Sequence, residues 1–231
     1  MISEVYNEDC MVGMARYPDK FFDLAIVDPP YGMKSSSTSP GDKISKLGIE
    51  RSWSKDSKFK NWNRLVPQEK YWNELIRLSK NQIIWGENYY QKYFGKGRLV
   101  WVKHNNVFSG AELAYQSFTE GTYVFDYIWD GMRQQNMKNK EVRIHPTQKP
   151  VDLYKWILNN YAKLGDKILD THLGSGSSRI AAHDMGFDFY GWELDKDYFE
   201  AMQARYEKHI SQQTLFNHDS FNQGEQQNLI I

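Results

Sequence analysis

Two stretches of this chain carry residue types that can do chemistry together. The first is Asp28-Pro29-Pro30-Tyr31. An exocyclic amine on a nucleobase is a poor nucleophile, because its lone pair is delocalised into the ring. Two acceptors gripping its two N–H bonds favour a more tetrahedral nitrogen and localise that pair. Asp28 can supply one acceptor through its carboxylate. The Pro29 carbonyl can supply the other, since proline lacks the N–H but keeps its C=O. Both also stabilise the positive charge that develops on nitrogen as it attacks a methyl group. Tyr31 offers a face on which a flipped base can stack. Alone, the tetrapeptide also fits an Asp-capped proline turn with a core tyrosine, the less favoured reading, and the rest of the chain decides.

The second stretch is Lys167-Ile168-Leu169-Asp170-Thr171-His172-Leu173-Gly174-Ser175-Gly176-Ser177-Ser178. An apolar run enters a Gly-x-Gly turn, and Ile180, Ala181 and Ala182 continue as a helix. Glycines let backbone approach a ligand closely, and Ser177 or Ser178 can cap the helix. Glu193 follows Phe189-Tyr190-Gly191-Trp192, 17 residues beyond Gly176. An acid at the tip of the second strand of a βαβ unit is placed to hold ribose hydroxyls. The third glycine of a dinucleotide fingerprint is missing, which favours an adenosine cofactor without a pyrophosphate, such as S-adenosylmethionine, over NAD. Glycines that serve packing alone are the plainer alternative.

Strands must present both stretches at one edge. Phe22 to Val27 is a buried-strand run that Pro29-Pro30 cannot continue, so Asp28 sits at a strand's carboxyl end, where open α/β sheets bind ligands. Ile2 to Tyr6, Gln82 to Trp85 and Arg98 to Val102 read as further strands. Glu112 to Phe118 and Thr122 to Trp129 read as a late pair around Glu120-Gly121. Helices are expected over Cys10 to Tyr17, from Pro67 through Leu78, over Asn88 to Phe94, and from Val151 to about Ala162.

The chain has 231 residues, enough for one large domain. Its 29 basic and 29 acidic residues cancel, so bulk charge points to no partner. No apolar stretch approaches membrane-span length and Met1-Ile2-Ser3-Glu4 opens nothing like a signal peptide. A lone cysteine, Cys10, excludes an internal disulfide framework and suits a reducing cytoplasm. Without a Cys cluster or a His-x-x-x-His pair, no metal is expected.

Two loops break the neutrality. Lys34, Lys43, Lys46, Arg51, Lys55, Lys58, Lys60 and Arg64 face only Asp42, Glu50 and Asp56, and Trp53, Phe59 and Trp62 are interleaved. Phosphate-neutralising charges beside stacking rings are what a nucleic-acid surface needs; a solvated loop with anchoring aromatics is the alternative. Residues 130–149 hold Arg133, Lys138, Lys140, Arg143 and Lys149 against Asp130 and Glu141.

Five blocks occur in a telling order: Asn7-Glu8-Asp9-Cys10, Asp28 to Tyr31, Ile83-Ile84-Trp85-Gly86, His145-Pro146-Thr147-Gln148-Lys149-Pro150, and Leu169-Asp170 to Gly176. In them the chain resembles the amino-directed DNA methyltransferases of bacteria and phages, in the permuted β arrangement, over most of residues 1–210. The resemblance implies an α/β, Rossmann-like, mostly parallel seven-stranded sheet with helices on both faces and a circularly permuted motif order. It also implies S-adenosylmethionine as cofactor, double-stranded DNA as partner, and a setting such as restriction–modification in a bacterial cytoplasm, near the nucleoid. By resemblance, Asp9 and Cys10 lie near the cofactor adenine and Glu193 holds its ribose. Asp170, Gly174 and Gly176 wrap its methionine part, His172, Ser175 and Ser177 belong to the same cofactor-binding segment, and Thr147 and Lys149 lie near its carboxylate.

Thr171-His172 departs from the family's usual Pro-Phe, so altered packing around the cofactor is expected. The chain is also too short for a separate target-recognition domain. The loops at about 32–66 and 130–144, with Arg133, Lys138 and Lys140 in the second, must take that task, helped by a second subunit if the protein is a homodimer. Residues 211–231 read as a flexible polar tail; in it Gln212, Leu215 and Phe216 resemble a sliding-clamp-binding pentapeptide. The reading is adenine-N6 transfer to DNA, because in the family Asp at position 28 leans that way. Cytosine-N4 transfer, a silent DNA-binding module and an NAD-linked oxidoreductase are the alternatives; a glutamine or RNA-base substrate fits Asp28 less well.

Overall fold

The computed structural model describes residues 1–32, 66–104, 109–130 and 133–227, with side chains described as far as residue 212. The eight basic residues from Lys34 to Arg64, with Trp53, Phe59 and Trp62, therefore lie outside the described residues. So do the side chains of Leu215 and Phe216.

Strand β2 (Phe22–Val27) is the axis of the fold. Leu24 and Ile26 point into one layer of core and Ala25 and Val27 into the other. A strand buried on both faces reads as an unbroken apolar run and not as an alternation. Its neighbours are β3 (Ser79–Trp85) on one side and β7 (Lys167–Asp170) on the other, both parallel. Beyond β7 lie β8 (Asp188–Trp192) and β1 (Ser3–Tyr6), again parallel.

The other flank is mixed. β5 (Ala111–Gln116) runs antiparallel to β3, and β4 (Arg98–Val102) antiparallel to β5. β6 (Thr122–Asp126) runs parallel to β4 at the edge. Among the described residues the sheet thus has eight strands, in the order β1-β8-β7-β2-β3-β5-β4-β6, one more than the seven expected. The expected pairing of the 112–118 and 122–129 segments does not occur, because β4 lies between them. Glu120-Gly121 is a crossover and not a hairpin turn.

Helices cover both faces. α1 (Cys10–Met14) and α2 (Glu69–Leu78) pack on one, where α2 buries Tyr71, Trp72, Leu75 and Leu78. That spacing is one stripe of a 3.6-residue period. Truncating one of these buried side chains to alanine should cost about 2–5 kcal/mol. α3 (Val151–Tyr161), α4 (Ser177–Asp184) and α5 (Lys196–Gln227) follow β6, β7 and β8. The backbone of residues 211–227, expected as a tail, continues α5. The helix expected over Asn88–Phe94 is only a 3-10 turn at Glu87–Tyr89. Gly86 enters it left-handed at φ +71°, and Tyr90 leaves it extended.

The parallel strands all bring their carboxyl ends to one edge. The antiparallel β5 brings its first residues there, and β4 its last. Asp28, Gly86, Asp170, Glu193, Glu112 and Lys103 therefore share that edge, although 165 positions separate the first of them from the last (193 − 28). β2 and β7 are neighbours whose onward connections run in opposite directions, the arrangement that opens a crevice in such sheets.

Candidate active site

A cavity of about 450 Å³ opens at this edge between the ends of β2, β7 and β8. Asp9, Cys10, Thr147, Lys149, His172, Gly174, Ser175 and Glu193 line it together with Asp28 and Pro30. Asp170, Gly176 and Ser177 do not line it. A second cavity of about 280 Å³, beside Tyr71 and Lys70, shares Pro30 and His172 with the first.

One end is built from backbone. Glu193 accepts a hydrogen bond from Gly174 N at 2.8 Å on one oxygen and from Asp195 N at 2.9 Å on the other. Burial raises its carboxyl above the ordinary value against those bonds. Asp170 is buried and accepts from Ser178 Oγ at 2.6 Å and His172 N at 3.0 Å, so it pins the turn. Burial pushes it up to about 7 despite both bonds. Gly176 starts α4 at φ +70°, and a Cβ there would stand 2.4 Å from Met202 Cγ, so only glycine fits. Ser177 turns from the cavity toward Arg205 Nη1, at 3.0 Å. Asp9 caps α1, accepting from Met11 N at 2.8 Å. His145 is pushed down to about 4 by burial and by Lys149, which keeps its ring neutral against Tyr198.

Thr171-His172 is accommodated by a polar chain. Thr171 Oγ1 is 2.6 Å from the Tyr71 hydroxyl and 2.9 Å from His172 Nδ1. The His172 ring meets Tyr71 edge-on, with centroids 5.6 Å apart. Altered packing was the expectation at this pair. Tyr71, on α2, is the partner that the local sequence did not reveal.

The other end is built from ionised side chains. Asp28 Oδ1 accepts from the Tyr31 hydroxyl, and Oδ2 from Lys149 Nζ at 2.5 Å. Lys149 Nζ also stands 3.0 Å from Glu112 Oε2, near enough for an ion pair though not aligned as a hydrogen bond. Glu112 Oε1 in turn accepts from Lys103 Nζ at 2.6 Å. Burial alone would raise the Glu112 carboxyl, but Lys149 and Lys103 outweigh it and hold it down at about 2. Burial likewise works against the Lys149 charge, and Asp28 and Glu112 reverse that. The resemblance assigned Lys149 to a cofactor carboxylate; here its nearest partners are Asp28 and Glu112.

Two further residues fix the tetrapeptide. The Tyr90 hydroxyl donates to Pro29 O at 2.8 Å and leaves the second lone pair of that carbonyl unclaimed by this bond. Tyr31 lies flat on Tyr89, centroids 4.7 Å apart at 10°. Tyr31 also fills the space above Gly86, where a Cβ would come within 2.1 Å of the ring. Glu112, Lys103, Tyr89 and Tyr90 were missed from sequence. The one signal available was the charge of Glu112 near the start of β5.

Of the basic residues in the second loop, Arg133, Lys138 and Lys140 are exposed. Arg133 is paired with Asp130 at 2.6 Å. Lys149 is buried, so it adds no charge to that surface. Among the described residues no cluster of His, Cys, Asp and Glu is arranged to hold a metal ion, and no helix is long and apolar enough to cross a membrane.

Comparison with known proteins finds a partial family match, two relatives and a similar fold. Residues 111–204 match a family model described as DNA methylase. The type II methyltransferase M.HinfI of Haemophilus influenzae is 24% identical over 249 aligned positions, covering 88% of this chain and 68% of that protein. The type II methyltransferase M2.DpnII of Streptococcus pneumoniae is also 24% identical, covering 87% of this chain and 88% of its own length. In structure, the crystallised M1.HpyAVI–SAM complex superposes with a TM-score of 0.56 at 19% identity, over 89% of this chain and 98% of that one.

Proposed function

We propose that the chain is an amino-directed DNA methyltransferase, and that it methylates the N6 amine of an adenine flipped out of double-stranded DNA, using S-adenosylmethionine. The observation that carries the reading is a single cavity with two unlike ends. A glycine turn and Glu193 form one end, and Asp28 and Pro30 line the other, with Pro29 and Tyr31 beside them in the chain and outside the lining. The donor set suits the cofactor, because carboxylates at Glu193 and Asp9 can accept hydroxyl and amine hydrogens, and among the described residues no cationic side chain forms an ion pair with Glu193 that would repel a sulfonium. When bound, the cofactor supplies a methyl group on positively charged sulfur.

The residues of the chain would do the rest. Asp28 and the second lone pair of Pro29 O hold the two amine hydrogens, concentrate the lone pair on nitrogen and stabilise the charge it gains. Pro30 and the bond from Tyr90 keep that carbonyl fixed. Tyr31 gives the base a stacking face, and Tyr89 covers one of the two faces of its ring. Holding both partners in line supplies much of the rate by itself. Adenine is preferred to cytosine because the family associates Asp at position 28 with adenine. Arg133, Lys138 and Lys140, with the Lys34–Arg64 stretch, would neutralise phosphates. A homodimer and a clamp contact through Gln212, Leu215 and Phe216 are secondary expectations.

The test is to incubate the protein with unmethylated duplex DNA and methyl-labelled S-adenosylmethionine, digest the DNA and resolve its nucleosides by mass spectrometry. Labelled N6-methyladenine is expected. Labelled N4-methylcytosine would overturn the choice of base, and label on no nucleoside would overturn the reading.

A further inference from the structure

Four charges alternate in sign from the base end of the cavity inward: Asp28 and Lys149, which line it, then Glu112 and Lys103, which do not. Lys149 is buried and lies between two carboxylates, 2.5 Å from Asp28 and 3.0 Å from Glu112. The sheet makes this meeting possible. Glu112 is the second residue of β5 and Lys103 follows β4, and these two strands run opposite to one another, so both residues reach the same edge as Asp28. A lysine whose sole partner was Asp28 would place its whole charge on the carboxylate that must grip an amine, and would compete for the same oxygen. At low local dielectric that competition is severe.

We propose that Glu112 is a positioning residue for Asp28: by sharing the Lys149 ammonium, it keeps Asp28 oriented yet available to the target amine. Lys103 balances the charge of Glu112 so that the acid can remain buried. This rests on Asp28 as the amine acceptor and goes beyond it, because Glu112 does not line the cavity and acts through Lys149.

The experiment compares the full-length wild type with Glu112→Gln and with the charge-balanced Lys103→Gln/Glu112→Gln double variant. Steady-state kinetics, thermal unfolding and the NMR signal of the Lys149 ammonium, identified by its loss in Lys149→Met, are read for each. Glu112→Gln should lose both thermal stability and about tenfold in kcat, with KM for DNA little changed. The double variant should regain stability while kcat stays low, and its Lys149 signal should differ from that of the wild type. Recovery of kcat together with stability would reduce Glu112 to a structural role and overturn the proposal. An unchanged Lys149 signal would overturn it as well, and can be read even if the wild type proves to methylate no DNA, an outcome that would count against the proposed function separately.

Discussion

The two ends of the cavity hold their acids in opposite ways. At the glycine-turn end, Asp170 and Glu193 are held by backbone N–H groups and a serine hydroxyl, and burial drives both carboxyls upward. At the tetrapeptide end, Asp28 and Glu112 are held by lysine ammonium groups, and Glu112 is driven downward. Neutral donors leave an acid's field uncompensated, which suits a ligand that brings positive charge and hydroxyls. Ammonium partners cancel the field, which suits a neutral base whose amine becomes charged only as it reacts. One sheet edge therefore offers two electrostatic environments within one cavity.

Changes at the first end should act on cofactor affinity. Glu193→Ala should weaken S-adenosylmethionine binding by about 10- to 100-fold in isothermal titration, the value of one or two hydrogen bonds to a charged group. An unchanged affinity would remove the distinction between the ends. A smaller effect is expected from Gly86→Ala, which meets both a φ of +71° and the Tyr31 ring. Overpacking of this kind costs about 1–3 kcal/mol. The loss should appear in denaturant unfolding together with reduced transfer, while cofactor affinity stays near wild type.

The gentlest probe of the comparison is pH. The native state holds the Asp170 proton up to about 7, against an ordinary 3.8. It therefore binds more proton than the unfolded chain in that window, and stability falls as pH rises through it. Glu112 has the opposite sign. Its contribution is complete above 4.5 and is lost as pH falls toward about 2. Thermal unfolding across pH should show the neutral-side slope flatten in Asp170→Asn and the acid-side slope flatten in Glu112→Gln. The reverse assignment would mean that the two ends are not distinct.

Much of the first end was legible in the sequence, because its parts are local. A strand, a Gly-x-Gly turn and an acid closing the next strand lie within 27 residues, from Lys167 to Glu193. The tetrapeptide was legible for the same reason, since Pro-Pro must end β2. The network around it was not. Glu112 and Lys103 meet Lys149 only because β4 inserts between β5 and β6, and no turn signal encodes that order. The expected helix over Asn88–Phe94 failed because Tyr89 and Tyr90 serve different partners. Tyr89 stacks on Tyr31, and the Tyr90 hydroxyl reaches Pro29 only if the chain is extended at that residue. Tyr71 finding Thr171 across 100 positions is a contact of the same kind.

The central claim is that Asp28 acts on the amine and not on the cofactor. It is tested most directly by measuring single-turnover methyl transfer and S-adenosylmethionine affinity side by side in wild type and Asp28→Asn, a variant that keeps the side chain's shape beside Lys149. The expected result is a rate loss on the order of 10³-fold with cofactor affinity changed by no more than about twofold. Wild-type-like transfer by Asp28→Asn, or an equal loss in rate and affinity, would contradict it.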